Sequence, residues 1–328
     1  MKVAVAACRL VGVCALIVTA TWPVLAADYA VRLFDRPGAL STQLWDINDG
    51  GVIVGAAAYT DGRSAGFTYS AGVFTDFAGP AGALRTQFTG ISNSGLIVGF
   101  FDSADSLEGR GVTSSFLFNG SNYTSFAIPG TDETVLRHIS SDGRYLTGTY
   151  TIDAVHYGFA YDRWTDGFMS FGERSIAQGA SIDGVVVGSA TLGNASQTGF
   201  EHDLATGVTS FPMIDGLEQT RFRDINDVGS ITGFTRGDGN LAFVLSAAGE
   251  LSTFTFAGAY DTAGYGLNNH NVLVGWYGDY DGQILRGFVA TPVPEPQSWA
   301  LLLCGLAFVG WARAAASTAA ASTRVSVG

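Results

Sequence analysis

One unit recurs six times along this chain, and that recurrence restricts the fold more than any single motif. Each copy carries a short apolar strand ending in glycine: Val52-Ile53-Val54-Gly55, Leu96-Ile97-Val98-Gly99, Tyr145-Leu146-Thr147-Gly148, Val185-Val186-Val187-Gly188, Ser230-Ile231-Thr232-Gly233 and Val272-Leu273-Val274-Gly275. The glycines lie 44, 49, 40, 45 and 42 residues apart. A polar turn precedes each strand, clearest as Asp46-Ile47-Asn48-Asp49-Gly50 and Asp224-Ile225-Asn226-Asp227-Val228-Gly229. After it comes a small residue followed by phenylalanine, as in Gly66-Phe67, Ser115-Phe116, Gly158-Phe159, Gly199-Phe200, Ala242-Phe243 and Gly287-Phe288, and then a last strand such as Val73 to Phe77. Turn residues interrupt the body every eight to twelve positions or so and helical periodicity is absent from it, which argues an all-β fold. Four short strands in about 44 residues is the period of a propeller blade.

The sixth unit stops after its third strand, at Arg286 to Ala290. Its missing fourth strand stands at the other terminus, where Tyr29 to Ala39 resembles Val73 to Ala83. This complementarity predicts a six-bladed ring closed by the N-terminal strand, with no free edge left to pair with another chain. The alternative is an open β-solenoid, whose ends need no such match.

The units resemble the HAF extracellular repeats, with Ala65-Gly66-Phe67 and Tyr157-Gly158-Phe159 standing where that family has its name-giving triplet. The resemblance spans the whole body and implies an extracellular repeat protein. It implies no chemistry.

Both ends read as addresses. Lys2 and Arg9 precede an apolar core from Leu10 to Ala20, and Val24-Leu25-Ala26 suits cleavage, so residues 1–26 are expected to be a signal peptide. At the other end Val293-Pro294-Glu295-Pro296 is followed by an apolar run from Trp299 to Ala312 and then by Arg313. Prolines 294 and 296 have no backbone hydrogen to give to a ladder, which keeps the motif extended. This order resembles the PEP-CTERM sorting signal. The resemblance implies recognition of residues 292–313 by an exosortase-type protease, transient inner-membrane anchoring through a C-terminal transmembrane helix, and delivery to the surface or extracellular matrix of a Gram-negative bacterium. Residues 314–328 form an Ala/Ser-rich tail, and 27–291 are the repeat domain.

All three cysteines, Cys8, Cys14 and Cys304, fall in the two address segments, so the body is held by its core and not by disulfides. Without Lys2, Arg9, Arg313 and Arg324 the 17 basic residues become 13, and without Glu295 the 29 acidic ones become 28, leaving the body a formal charge of −15. Such a surface disfavours nucleic acid and anionic lipid as partners, and no nucleic acid is expected.

Candidate sites lie on the two faces. Asp46, Asn48 and Asp49, with Asp224, Asn226 and Asp227, offer oxygens that calcium could use, but their spacing is not that of a calcium loop and their type is what tight hairpins demand. They are therefore read as turn residues, and no metal or cofactor is assigned. The opposite face carries the loops between second and third strands, with Tyr59, Asp61, Asp102, Asp105, Asp153, His156, Trp276, Tyr277, Asp279 and Tyr280. Aromatic faces beside carboxylates suit sugars. No catalytic motif is present, and His138, His156, His202 and His270 occupy no shared position in the units, so each is read as a surface or turn residue. The expected function is a non-catalytic binding or scaffold protein of the polysaccharide matrix. The alternative is a carbohydrate-active hydrolase or lyase with carboxylates drawn from Asp61, Asp102, Asp153 or Asp279.

Overall fold

Six phenylalanines, Phe67, Phe116, Phe159, Phe200, Phe243 and Phe288, are each at most 2 % exposed, and each occupies the same place in its unit. In this computed structural model, which describes residues 29–103, 113–193, 197–236, 239–278, 284–293 and 303–311, every one lies on the third strand of a four-stranded antiparallel sheet. The first sheet is β2 (Ser41–Ile47), β3 (Ile53–Ala58), β4 (Ser64–Ser70) and β5 (Val73–Phe77). The second is β6 (Ala83–Ile91), β7 (Ile97–Ser103), β8 (Thr113–Phe118) and β9 (Tyr123–Phe126), joined to the first by a single parallel bridge between Ser64 and Arg85. The third is β10 (Glu133–Ile139), β11 (Tyr145–Ile152), β12 (Val155–Asp162) and β13 (Gly167–Glu173). The fourth is β14 (Ser175–Ala180), β15 (Val185–Thr191), β16 (Gln197–Asp203) and β17 (Val208–Ser210). The fifth is β18 (Thr220–Ile225), β19 (Ile231–Thr235), β20 (Ala242–Leu245) and β21 (Leu251–Phe254). The sixth joins β22 (Asp261–Leu267), β23 (Leu273–Gly278) and β24 (Leu285–Pro292) to β1 (Tyr29–Leu33).

The first strand of each sheet packs against the first strand of the next, and β22 packs against β2. The chain is thus a β-propeller with six blades among the described residues, and the open solenoid is excluded because its ends would not meet. Closure is composite. β1 pairs with β24 from Tyr29↔Pro292 to Leu33↔Phe288, and Phe34 continues the ladder with its N–H on the Gly287 carbonyl, 2.8 Å.

The repeated glycine and phenylalanine form one steric unit. A Cβ on Gly55 would stand 2.7 Å from Phe67 Cζ and inside the envelope of the Gln43 carbonyl oxygen, and the same two obstacles recur at Gly99, Gly148, Gly188, Gly233 and Gly275. The tip of the strand-three ring therefore abuts a strand-two backbone that can carry no side chain there. The small residue before the phenylalanine faces the neighbouring blade. At Gly66 a Cβ would lie 2.7 Å from Phe88, and Ser115 instead uses its hydroxyl to bridge the Thr134 carbonyl and the Leu136 N–H, each at 2.8 Å. Blade cores such as Phe88, Ile91, Ile97, Phe116 and Phe118 fill the wedges between sheets.

Tyr29 anchors the closing strand edge-on to Phe254, 5.1 Å between ring centroids, and burial pushes its phenol up to about 12. The sign follows from linkage: between its ordinary value of 10 and that raised value the unfolded chain releases this proton and the folded chain keeps it. Stability contributed by Tyr29 is present below about pH 10 and lost as pH rises through about 12. Chemical denaturation at pH 8 and pH 11 is expected to show a smaller alkaline loss in Tyr29→Phe than in the wild type; equal losses would contradict it.

The address segments lie largely outside the described residues, including residues 1–26, Pro294, Glu295, Pro296 and Arg313. Val293 is described and is 42 % exposed. Among the described residues no helix is long and apolar enough to cross a membrane, so the expected C-terminal transmembrane helix is not supported; the helix present covers residues 303–311.

Candidate functional site

The six inner strands align residue for residue, and each carries a β-bulge at the same point, between Leu44 and Asp46 in the first blade and Gly264 and Gly266 in the last. A bulge re-aims the side chains beside it. The residues following it read Asp46, Gly90, His138, Gly179, Asp224, Gly266 around the ring. Space explains the alternation. A Cβ on Gly266 would meet Asp46 Oδ1 at 2.7 Å, one on Gly179 would meet Asp224 Oδ1 at 2.7 Å, and one on Gly90 would stand 3.0 Å from His138 Cα. Three side chains occupy the axis because the intervening blades supply none.

Asp46, His138 and Asp224 converge there, 2 %, 8 % and 2 % exposed. His138 Nδ1 lies 3.8 Å from Asp46 Oδ2 and 3.5 Å from Asp224 Oδ1. Each carboxylate also ties two blades. Asp46 accepts from the N–H groups of Ile47 (2.7 Å) and Ile91 (2.8 Å), and Asp224 from those of Ile225 (2.8 Å) and Leu267 (2.9 Å). Burial pushes the Asp46 carboxyl up to about 7, against the pull of His138, and pushes Asp224 up as well, while burial lowers the His138 imidazole. Reading His138 as a surface or turn residue is therefore wrong: its place in β10 puts it on the axis.

Outside this layer the turns join hands across the mouth. Asn48 and Asn226 each close their own turn through Oδ1, to Val52 N (3.0 Å) and Ser230 N (2.8 Å), and reach the next blade through Nδ2, to the carbonyls of Ser92 (3.1 Å) and Asn268 (2.9 Å). Asn269 Nδ2 donates to both Asp49 (2.9 Å) and Asp227 (2.7 Å). A cavity of about 20 Å³ lies between this rim and the Asp–His–Asp layer.

On the other side of that layer the inner and second strands carry a cluster of guanidinium groups and aromatic rings. The bulge residues Trp45, Arg137, Arg223 and Tyr265 meet Arg221 and the strand-two residues Phe100, Phe234 and Trp276. Trp45 packs edge-on to Tyr265 (4.6 Å), Trp276 stacks on Tyr265 (5.4 Å), and Arg223 lies over Tyr265 (4.7 Å) and Phe234 (4.9 Å). Arg137 lies over Phe100 at 5.6 Å and Arg221 over Phe234 at 5.9 Å. Burial, reinforced by the Arg223 charge facing it from two blades away, pushes Arg137 down to about 10. Burial, with Arg236 and Arg223, does the same to Arg221. None of Arg137, Arg221 and Arg223 forms an ion pair among the described residues. Their Nε–H groups and the indole N–H groups of Trp45 and Trp276 are buried and have no hydrogen-bond partner among the described residues. Such groups are costly to bury unless something accepts from them.

The loop residues expected to bind ligand are not brought together. Tyr59 donates to Asp76 (2.6 Å), Asp61 pairs with Arg63 (2.7 Å) and Asp102 with Arg85 (2.7 Å). Asp153 sits in a left-handed turn (φ 49°), His156 bonds to Thr151 (2.9 Å), and Tyr277 stacks on Phe256 (4.3 Å). Each is engaged within its own blade or its neighbour. Trp276 reaches the channel, from within β23 and not from a loop. Asp105, Asp279 and Tyr280 lie outside the described residues.

No protein-family model matches the sequence, and no curated protein matches it. Among solved structures the chain is similar to TolB from Acinetobacter baumannii, at 14% identity and a TM-score of 0.46 over 73% of this chain and 63% of that one. It is also similar to the β-propeller domain of the Trilobed protease from Pyrococcus furiosus, which has an open velcro topology, at 10% identity and a TM-score of 0.45 over 78% and 98% of the two chains. A mutant of AofleA from Arthrobotrys oligospora follows at 11% identity and a TM-score of 0.42 over 81% and 91%.

Proposed function

We propose that this protein is an exported, non-catalytic binding propeller of the extracellular polysaccharide matrix, taking a carboxylate-bearing saccharide at the arginine–indole side of its channel. The observation that carries the reading is the set of five buried donors, from Arg137, Arg221, Arg223, Trp45 and Trp276, without acceptors among the described residues. Guanidinium forks match carboxylates, and the flat faces of Trp276 and Tyr265 suit the apolar faces of sugar rings. A body of charge −15 that gathers three of its 13 arginines, Arg137, Arg221 and Arg223, on the inner strands has concentrated its positive potential where an anion would meet it.

Binding is tested with an oligouronate and a neutral glucan of equal length, followed by tryptophan fluorescence and calorimetry. The oligouronate is expected to bind, with affinity falling as salt rises, and Arg223→Gln to weaken it by roughly 10- to 100-fold, the value of one charge-assisted hydrogen bond. The variant removes like-charge repulsion, so its melting midpoint should hold or rise, which separates lost binding from lost fold. Equal affinity for both glycans would overturn the reading. Export and sorting through Val293 to Pro296 and Arg313 belong to the same proposal. Intact mass of the protein from the producing cell's surface is expected to show cleavage near Glu295 and Pro296; a chain ending at Gly328 would remove the exosortase step.

A further inference from the structure

The axial cluster carries a second inference, independent of the saccharide reading. We propose that Asp46, His138 and Asp224 bind one divalent transition-metal ion of the zinc or manganese type on the propeller axis, with water completing its shell from the cavity beneath the turn rim.

His138 Nδ1 stands 3.5 and 3.8 Å from the two carboxylates, and all three ligand atoms lie within 4.8 Å of one another. Those separations exceed the roughly 2.7–3.2 Å of an ordinary hydrogen bond. The two histidine–carboxylate distances are close to the roughly 3.4 Å expected between ligand atoms held tetrahedrally about 2.1 Å from one ion. Two carboxylates and an imidazole, buried this near each other, are a donor set without a direct bond among them.

The surroundings are those of a built site. Each carboxylate is oriented by two backbone N–H groups. Such outer contacts fix ligands and tune the metal. Gly90, Gly179 and Gly266 clear the space between the three ligands. The adjoining cavity of about 20 Å³ has the size of one water. The imidazole selects against calcium and magnesium, which take oxygen shells. Since the ligands come from the first, third and fifth blades, the ion would tie alternate blades at the axis.

The test uses the full-length protein, stripped with chelator and titrated with Co²⁺, Zn²⁺, Mn²⁺ and Ca²⁺. Co²⁺ is expected to saturate at about one equivalent with visible bands of a low-coordinate mixed nitrogen–oxygen site. Zn²⁺ should displace it and raise the melting midpoint more than Ca²⁺ at equal concentration. In histidine-¹⁵N spectra one imidazole of the four should shift on adding Zn²⁺, and His138→Ala should lose that signal and roughly 100-fold or more in affinity. The spectra of the unmutated protein decide the matter if that variant does not fold. No cobalt bands, no imidazole shift, or binding that survives His138→Ala would overturn the site.

Discussion

Deleting residues 29–37 is expected to abolish the single cooperative unfolding transition and to shift the chain to oligomers. The deletion removes the ladder from Tyr29↔Pro292 to Leu33↔Phe288 and leaves β24 as an exposed edge. It also removes Phe34, 8 % exposed and packed against Tyr69 at 4.5 Å between ring centroids, in a cluster that spans the first and last blades through Leu44, Phe67, Val274 and Val289. Losing a buried phenylalanine costs about 3–5 kcal/mol by itself. The bidentate pair of Arg36 with Asp76, 3.0 Å at each oxygen, goes with it. Against a net stability of about 5–15 kcal/mol, these losses at the one seam of the ring remove most of the margin. Thermal melts followed by far-ultraviolet dichroism and by tryptophan fluorescence are expected to part company in the deletion and coincide in the wild type. Coincident melts with an unchanged midpoint would show that the ring does not depend on its seam.

Gly188→Ala is expected to cost more than about 4 kcal/mol, in the range reserved for severe core disruption. Its Cβ would lie 2.7 Å from Phe200 Cε1 and overlap the Ile176 carbonyl oxygen, and neither can yield. The oxygen belongs to the ladder of β14 with β15, and the ring is 2 % exposed in the blade core. Gly172→Ala is the control, since nothing lies within 4 Å of the added atom there; it should stay within about 0.5 kcal/mol of the wild type. Equal denaturant midpoints for the two variants would mean that the repeated glycine reflects composition and not sterics.

Gly55, Gly99, Gly148, Gly188, Gly233 and Gly275 stood out by recurrence, and so did the phenylalanines they face, but their shared steric reason appears only when strands two and three are laid side by side. The axial residues show the reverse. Asp46 and Asp224 looked like turn residues because Asn48-Asp49-Gly50 and Asn226-Asp227 follow them closely; the bulge ahead of each carries it off the turn and onto the axis. Aligned as Asp46, Gly90, His138, Gly179, Asp224 and Gly266, the alternation was present in the sequence, yet it has meaning only once six strands meet at one axis. Arg137, Arg221 and Arg223, scattered across two units, gave no local signal at all.

By itself, then, the sequence determined the number of units and the four-strand order within each, and it paired the N-terminal strand with the incomplete last unit, because these follow from periods and complementarities that a strand shows to its immediate partner; that the ring closes, and is not an open solenoid, came from the structure. What only the tertiary structure decided is which side chains share the channel. That depends on one bulge per inner strand and on the radius at which six sheets close, and no distance along the chain encodes either.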